Sequence, residues 1–248
     1  MGEEGMELDR LEDVLVRDRP RLVFTMPNFQ NPTGITMPQA QRERMLRLCE
    51  EHGVPILEDG FEEEMKYFGQ AVLPIQSMDA RGIVLYVGTF SKVVFPGLRL
   101  GWIAAPKAVV DDLTEIHRVT CLAGNTLTQA AVARFVADGA YDQYLRRVHR
   151  SFRGRMQTLL KGLDAYMPEG CRWTRPEGGY TVWLTLPEDG RSEEEVVERC
   201  REEGVWVSPG KIYYPTPHCT PHLRLSISSR DEARIREGCR RLGEALAG

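Results

Sequence analysis

Three short apolar runs constrain this chain most. They are RLVFTMP at 21–27, VPILED at 54–59 and IVLYVG at 83–88. Each is brief, dense in Val, Ile, Leu and Phe, and closed by a proline, an acid or a glycine, as buried strands are. A helix is predicted between the first two. Thr36 and Gln39 stand at capping-box spacing, and Pro38 is tolerated in a first turn. Met45, Leu46, Leu48 and Cys49 supply an apolar face through about His52, and Gly53 ends the helix. Strands buried on both faces need helices on both sides, so the expectation is an α/β fold. In open α/β sheets ligands bind at the carboxyl ends of the strands. Glu58 and Asp59 close the second run, and Thr89, Ser91 and Lys92 follow the third.

The stretch Leu85 to Ala105 reads apolar, then polar, then apolar. Lys92 sits beside the hydroxyls of Thr89 and Ser91, and Arg99 lies seven residues on, between Leu98 and Leu100. An arginine in an apolar run is costly unless an anion or carboxylate meets it. Hydroxyls and an arginine suit a cofactor phosphate, and a lysine amine can form an imine with a carbonyl. From chemistry alone, a surface Ser-Lys between two strands is an equally good account.

Four pieces tip that balance: NFQNPTG at 28–34, EDGFEEEMKY at 58–67, GTFSKVVFPGLRLGW at 88–102 and LRLSIS at 223–228. In this order and spacing they resemble fold-type I pyridoxal-phosphate aminotransferases of class I/II. The similarity is greatest to the aminotransferase-like half of winged-helix hybrid regulators and to 2-aminoadipate-type transaminases, and it runs from about Met6 to Ala247. The resemblance implies a three-layer α/β/α large domain, incomplete here, over residues 1–150. It also implies a C-terminal α+β small domain over 151–248, joined by a long helix at about 141–163.

The resemblance further implies roles. Lys92 is the imine lysine, and Thr89, Ser91 and Arg99 meet the phosphate of pyridoxal 5'-phosphate. Arginine fits that post because its planar fork meets two oxygens and keeps its charge. Asp59 pairs with the pyridine nitrogen, although an acid ending a strand is, taken alone, more simply a cap or turn residue. Asn31 donates to the cofactor's phenolic oxygen and borders the substrate; Asn-Pro-Thr-Gly is also a good turn. Arg224 clamps the substrate carboxylate, its alternative being a surface arginine on a strand. Phe61 stands where relatives commonly carry a tyrosine, and phenylalanine cannot donate a hydrogen bond. The run Glu62 to Glu64 is expected to be a solvated face.

The remaining elements follow from periodicity. LRLGWIAA at 98–105 is a predicted strand, with Trp102 in the core. A helix over Lys107–Cys121 puts Val109, Val110, Leu113 and Ile116 on one side. A second over Leu127–Ala137 turns Ala130, Ala131 and Phe135 inward. Tyr141 to Leu163 reads as one long helix, with Tyr144, Leu145, Val148, Phe152, Met156, Leu159 and Leu160 recurring at three and four. Its arginines read as a solvated face. CRWT at 171–174 and YTVWLTLP at 180–187 are predicted strands. Ser192 with Glu195, and Ser229 with Glu232, are capping boxes. Leu223, Leu225 and Ile227 face one way and Arg224, Ser226 and Ser228 the other.

Charge excludes some partners. With 36 acidic and 32 basic residues the net charge is −4, and no basic tail stands out, so no nucleic acid is expected. No run reaches bilayer length, so no membrane partner is expected. Six cysteines without a CxxC pair read as reduced cytoplasmic thiols. No metal site is expected, the loose grouping of His218, Cys219 and His222 included.

Two functions are expected. One is transfer of an amino group between an L-amino acid and a 2-oxoacid, by a homodimer if the chain is complete. The other is a cofactor- and amino-acid-sensing domain of a transcriptional regulator, to which Phe61 and the kinship point. Relatives carry a long portion before the NPTG region, with a phosphate-cradling loop and a ring-stacking aromatic. Neither is recognisable here, so an inactive fragment is a further expectation.

Overall fold

The structure is a computed structural model that describes residues 1–187, 189–216 and 220–247. His218 and Cys219 lie outside the described residues. No helix among the described residues is long and apolar enough to cross a membrane.

Packing divides the chain into two compact units. The first holds Met1–Asn28, Thr36–Met65 and Gly69–Arg147; the second holds Phe29–Ile35, Lys66–Phe68 and Val148–Gly248. In the first, α1 (Leu8–Arg17) buries Leu8, Leu11 and Leu15. β1 (Val23–Thr25), α2 (Gln39–His52), β2 (Ile56–Asp59), β3 (Val84–Thr89) and β4 (Gly101–Ala104) follow. The sheet order is β1-β2-β3-β4. β1, β2 and β3 are parallel, and β4 returns antiparallel on β3. The three apolar runs are therefore neighbouring strands. Met45, Leu46, Leu48 and Cys49 of α2 pack with Val23, Ile56 and Val84 of the sheet and with α1 in one apolar cluster. Gly53 ends α2 in the left-handed region at φ 66°, where only glycine is unstrained.

Several expectations fail here for identifiable reasons. Thr36 does not cap α2. Pro38 is the last extended residue, with no side-chain cap, and the helix starts at Gln39. The Gln39 side chain instead accepts from the Leu73 amide at 3.1 Å and donates to Glu43 at 3.2 Å. Trp102 is not core but 47% exposed. It stacks on Tyr86 at 5.2 Å and lies over Gly88, where any Cβ would meet the indole. α3 (Lys107–Cys121) forms as expected, yet buries no residue. α4 (Thr126–Ala137) buries Val132, while Ala130 and Ala131 face outward. Its cap is Asn125, which accepts from the Thr128 amide. Glu62 is not solvated but 4% exposed. Its neighbours are engaged too: Glu63 accepts from Asn28, and Glu64 from Tyr141.

α5 (Ala140–Tyr166) begins in the first unit and ends in the second. The second unit carries β5 (Arg172–Trp173), β6 (Thr181–Thr185), α6 (Glu193–Glu202), β7 (Ser208–Pro209), β8 (His222–Ser226) and α7 (Glu232–Ala247). Its antiparallel sheet has the order β5-β6-β8-β7. Met156, Leu159 and Leu163 of α5 are buried, as are Val182, Leu184, Leu223, Leu225 and Ile227, and Ile235, Cys239, Leu242 and Leu246 of α7. Ser192 and Glu195 do form the capping box of α6. Ser229 does not cap α7: Asp231 stands before the first helical residue and accepts from the Arg234 amide at 2.9 Å. The arginine face of α5 is only partly solvated. Arg155 donates to the Ile227 and Ser228 carbonyls, and Arg153 lies over the Phe68 ring at 5.2 Å.

Candidate active site

The first unit gathers Asp59, Phe61, Thr89, Ser91, Lys92 and Arg99 around the carboxyl ends of two hydrogen-bonded parallel strands. Asp59 pairs with Val87 across β2 and β3. Strand alternation turns Glu58 and Asp59 to opposite faces. Asp59 accepts the Phe61 amide at 3.2 Å on one oxygen, and no other donor reaches its carboxylate among the described residues. Burial pushes its pKa above the usual carboxylate range, and the Phe61 amide only partly opposes this. Gly60 is required beside it, because a Cβ there would run into the ring and hydroxyl of Tyr86.

β3 delivers the second group. Thr89 Oγ donates to the Leu100 carbonyl at 3.1 Å and accepts the Ser91 amide at 3.1 Å, so its hydroxyl organises the turn that carries the lysine. Ser91 is buried. Lys92 is exposed, its Nζ 6.0 Å from the centroid of the Phe61 ring. Arg99 is also exposed and sits in the left-handed region at φ 47°, the C-cap of a short 3-10 turn at Pro96–Leu98.

Asn31 and Arg224 meet in the second unit. Arg224 Nη1 donates to Asn31 Oδ1 at 3.0 Å, and Nη2 to Ser208 Oγ at 3.3 Å. The guanidinium lies over the Tyr213 ring at 5.0 Å, while its Nε is buried without a partner among the described residues. With Oδ1 taken, the Asn31 amide nitrogen is the end left to donate. The NPTG turn is held by Gly34, at φ 71°, where a Cβ would strike Pro176 and the Thr181 carbonyl. The Asn31–Pro32 peptide is cis.

Sequence reasoning missed Tyr141 and Tyr144. Their helical spacing marked one as a boundary and the other as packing, and nothing in that pattern reveals a hydroxyl partner. Arg42 and Asn28 were missed as well. One arginine of three on a helix, set among polar neighbours, gives no sign that it will be fully buried.

The sequence profile of the family described as aminotransferase class I and II matches residues 3–242. The aromatic-amino-acid aminotransferase 1 of Thermococcus litoralis is 36% identical over 99% of this chain and 60% of its own length. The 2-aminoadipate transaminase of Thermus thermophilus is 40% identical over 100% of this chain and 62% of its own. A crystal structure of Pyrococcus horikoshii kynurenine aminotransferase, in complex with PMP, superposes with a TM-score of 0.95 at 33% identity, again over 100% of this chain and 62% of that one. The chain thus spans about three fifths of the length of the curated relatives it matches. With a family profile matched over almost its full length, the chain belongs to the aminotransferase class I and II family.

Proposed function

We propose that this chain carries the catalytic residues of a pyridoxal-phosphate-dependent aminotransferase, which moves an amino group between an L-amino acid and a 2-oxoacid. The observation that carries this reading is the exit of Asp59 and Lys92 from adjacent parallel strands, with a half-buried carboxylate that lacks a cationic partner among the described residues. The donor set fits the cofactor. A charged ring N–H would relieve the Asp59 carboxylate, and Arg99 and Ser91 offer a cation and a hydroxyl to a phosphate, while the Thr89 hydroxyl, whose proton goes to the Leu100 carbonyl, holds the turn that carries them. When bound, pyridoxal 5'-phosphate supplies a carbonyl for an amine and a ring that withdraws electrons from the substrate α-carbon.

The chain's own residues then have distinct tasks. Lys92 Nζ is the base that takes the α-proton of the amino acid. Asp59 would accept the ring N–H and keep that nitrogen protonated. Asn31, through its amide nitrogen, would donate to the phenolic oxygen. Arg224 holds the substrate carboxylate through its guanidinium, whose unpartnered buried Nε supports that role. Within the family we place the chain near the 2-aminoadipate-type transaminases and the aminotransferase-like halves of winged-helix regulators. The cofactor residues fall mostly within 1–150 and the smaller domain within 151–248. The packing boundary at Arg147 supports this division, with Asn31 the exception. We further propose a cytoplasmic location and a homodimer, the dimer supported by α3, which buries none of its residues.

One observation favours a second reading, an amino-acid-sensing module with little turnover. The ring beside Lys92 is Phe61, which offers no hydroxyl. The test is amino-group transfer from 2-aminoadipate or an aromatic amino acid to a 2-oxoacid, with cofactor added. It is paired with borohydride capture of the cofactor and peptide mass analysis. Capture on Lys92 and sustained turnover, falling at least about a thousandfold in Lys92→Ala, is the expected result. Capture without turnover favours the sensor, and capture elsewhere than Lys92 overturns the assignment.

A further inference from the structure

We propose that Tyr144 is a positioning residue for Lys92, an inference that rests on Lys92 being the cofactor lysine. Tyr144 lies in the second turn of α5, and its hydroxyl donates to the Val93 carbonyl at 2.8 Å and reaches the Val94 carbonyl at 3.1 Å. These are the two residues directly after Lys92. The same turn is closed internally by the Val94 amide on the Phe90 carbonyl at 2.8 Å, and from the front by the Ser91 amide on Thr89 Oγ. Lys92 is therefore flanked by a hydroxyl clamp on each side, one from its own strand and one from a helix distant in sequence.

The rest of that helix start supports the same segment. Tyr141, one turn earlier, packs edge-on against Phe90 at 5.7 Å, two residues before Lys92. Its hydroxyl reaches the Glu64 carboxylate, in the segment that follows Asp59. Phe135 of α4 touches both tyrosine rings, at 5.8 and 6.1 Å, and so fixes their spacing. A ring placed for packing alone would not need its hydroxyl on the two carbonyls that follow the lysine. Burial also raises the Tyr144 pKa, which keeps it a donor. A lysine on a flexible stem carries a large rotamer entropy. Fixing its backbone turn narrows the positions its amine can reach, which is the condition for oriented proton transfer.

The test uses the full chain without cofactor and the variant Tyr144→Phe, which removes only the hydroxyl. Hydrogen exchange over 89–95 should quicken about five- to tenfold, the factor expected for one lost net hydrogen bond, while 84–88 stays unchanged. In competitive amine labelling at a single pH, the rate at Lys92 should change by about twofold or more, because its amine samples a wider set of positions, with Lys107 as the unmoved reference. An unmoved Lys92 labelling rate overturns the proposal. Exchange that rises equally in 84–88 also overturns it, because that marks a general loss of stability. Failure of the wild-type chain to capture cofactor at Lys92 would instead overturn the cofactor reading, and neither cofactor-free readout depends on it.

Discussion

Replacing Arg42 by methionine should be the most damaging single change in the first unit. The side chain is 0% exposed. Its Nε donates to the Met37 carbonyl at 2.9 Å, Nη1 to Leu73 at 3.1 Å, and Nη2 to the Pro27 carbonyl at 3.1 Å and to Asn28 Oδ1 at 2.5 Å. Asn28 passes the chain on to Glu63. One guanidinium thus joins the end of β1, the approach to α2 and the loop at Leu73. Burial pulls its pKa down, and Glu63 and Glu58 oppose this, so the charge persists because the acids are near. Four bonds from a charged donor at about 1.5 kcal/mol each put the gross loss at about 6 kcal/mol. Burying the methionine chain returns about 2 kcal/mol. The net cost of about 4 kcal/mol matches the removal of one partner from a buried ionic cluster. Urea unfolding at pH 7 should show the midpoint lower by about 2 M for a slope of about 2 kcal/mol per molar. Arg44→Met is the control, since among the described residues Arg44 pairs with the exposed Asp9 and Glu12, and it should leave the midpoint nearly unmoved. A loss below about 1 kcal/mol in Arg42→Met, or equal losses in both variants, would refute the reasoning.

Asp59→Asn should stabilise the cofactor-free chain at neutral pH. Burial raises the folded-state pKa of Asp59, so ionising it disfavours the fold, and its contribution falls as pH rises from the unfolded value of about 4 through the folded one. The advantage of the variant should shrink toward zero below about pH 4; a variant less stable than wild type at pH 7 counts against this account. Thr36→Val should cost nothing or add up to about 1 kcal/mol, because the Thr36 hydroxyl is buried without a partner among the described residues. Were Thr36 a helix cap, the same change would cost about 1 kcal/mol in thermal or urea unfolding, so the two readings differ in sign.

What could be read from the sequence was whatever depends on local pattern. The three apolar runs became adjacent strands, the recurrence in α5 buried Met156 and Leu159, and the alternation of LRLSIS turned Leu223 and Leu225 away from Arg224. The Ser192 box formed because both of its partners lie within one turn. The failures share a cause. Gln39, Glu63 and Arg42 are polar residues on segments that look solvated, and each has a partner far along the chain. A periodic pattern reports which face is apolar but not which polar group on the other face will be covered. Trp102 failed in the opposite sense. Its size predicted burial, but it lies on the antiparallel edge strand, with one face on Tyr86 and the other uncovered.

Glu58 and Asp59 show how far the site itself was legible. The sequence offers two adjacent carboxylates at one strand end and no chemical reason to prefer either. The pleat separates them. Glu58 goes to the side where the chain begins the 3-10 turn at Ile75–Met78, and its oxygens accept the Ile75 and Gln76 amides at 2.9 and 2.8 Å. It is 0% exposed, and burial raises its pKa while those two amides and Arg42 pull the other way. Its bonding capacity is spent within the fold. Asp59, on the opposite face, has a single amide and a half-buried carboxylate whose charge no cation among the described residues balances. A fold tolerates such a group at a cost in stability, and that cost is removed when a cation arrives. Thus the first acid of the pair is structural and the second is left for a ligand. The distinction rests on one step of strand register rather than on residue type, since a slip of one residue would exchange their roles.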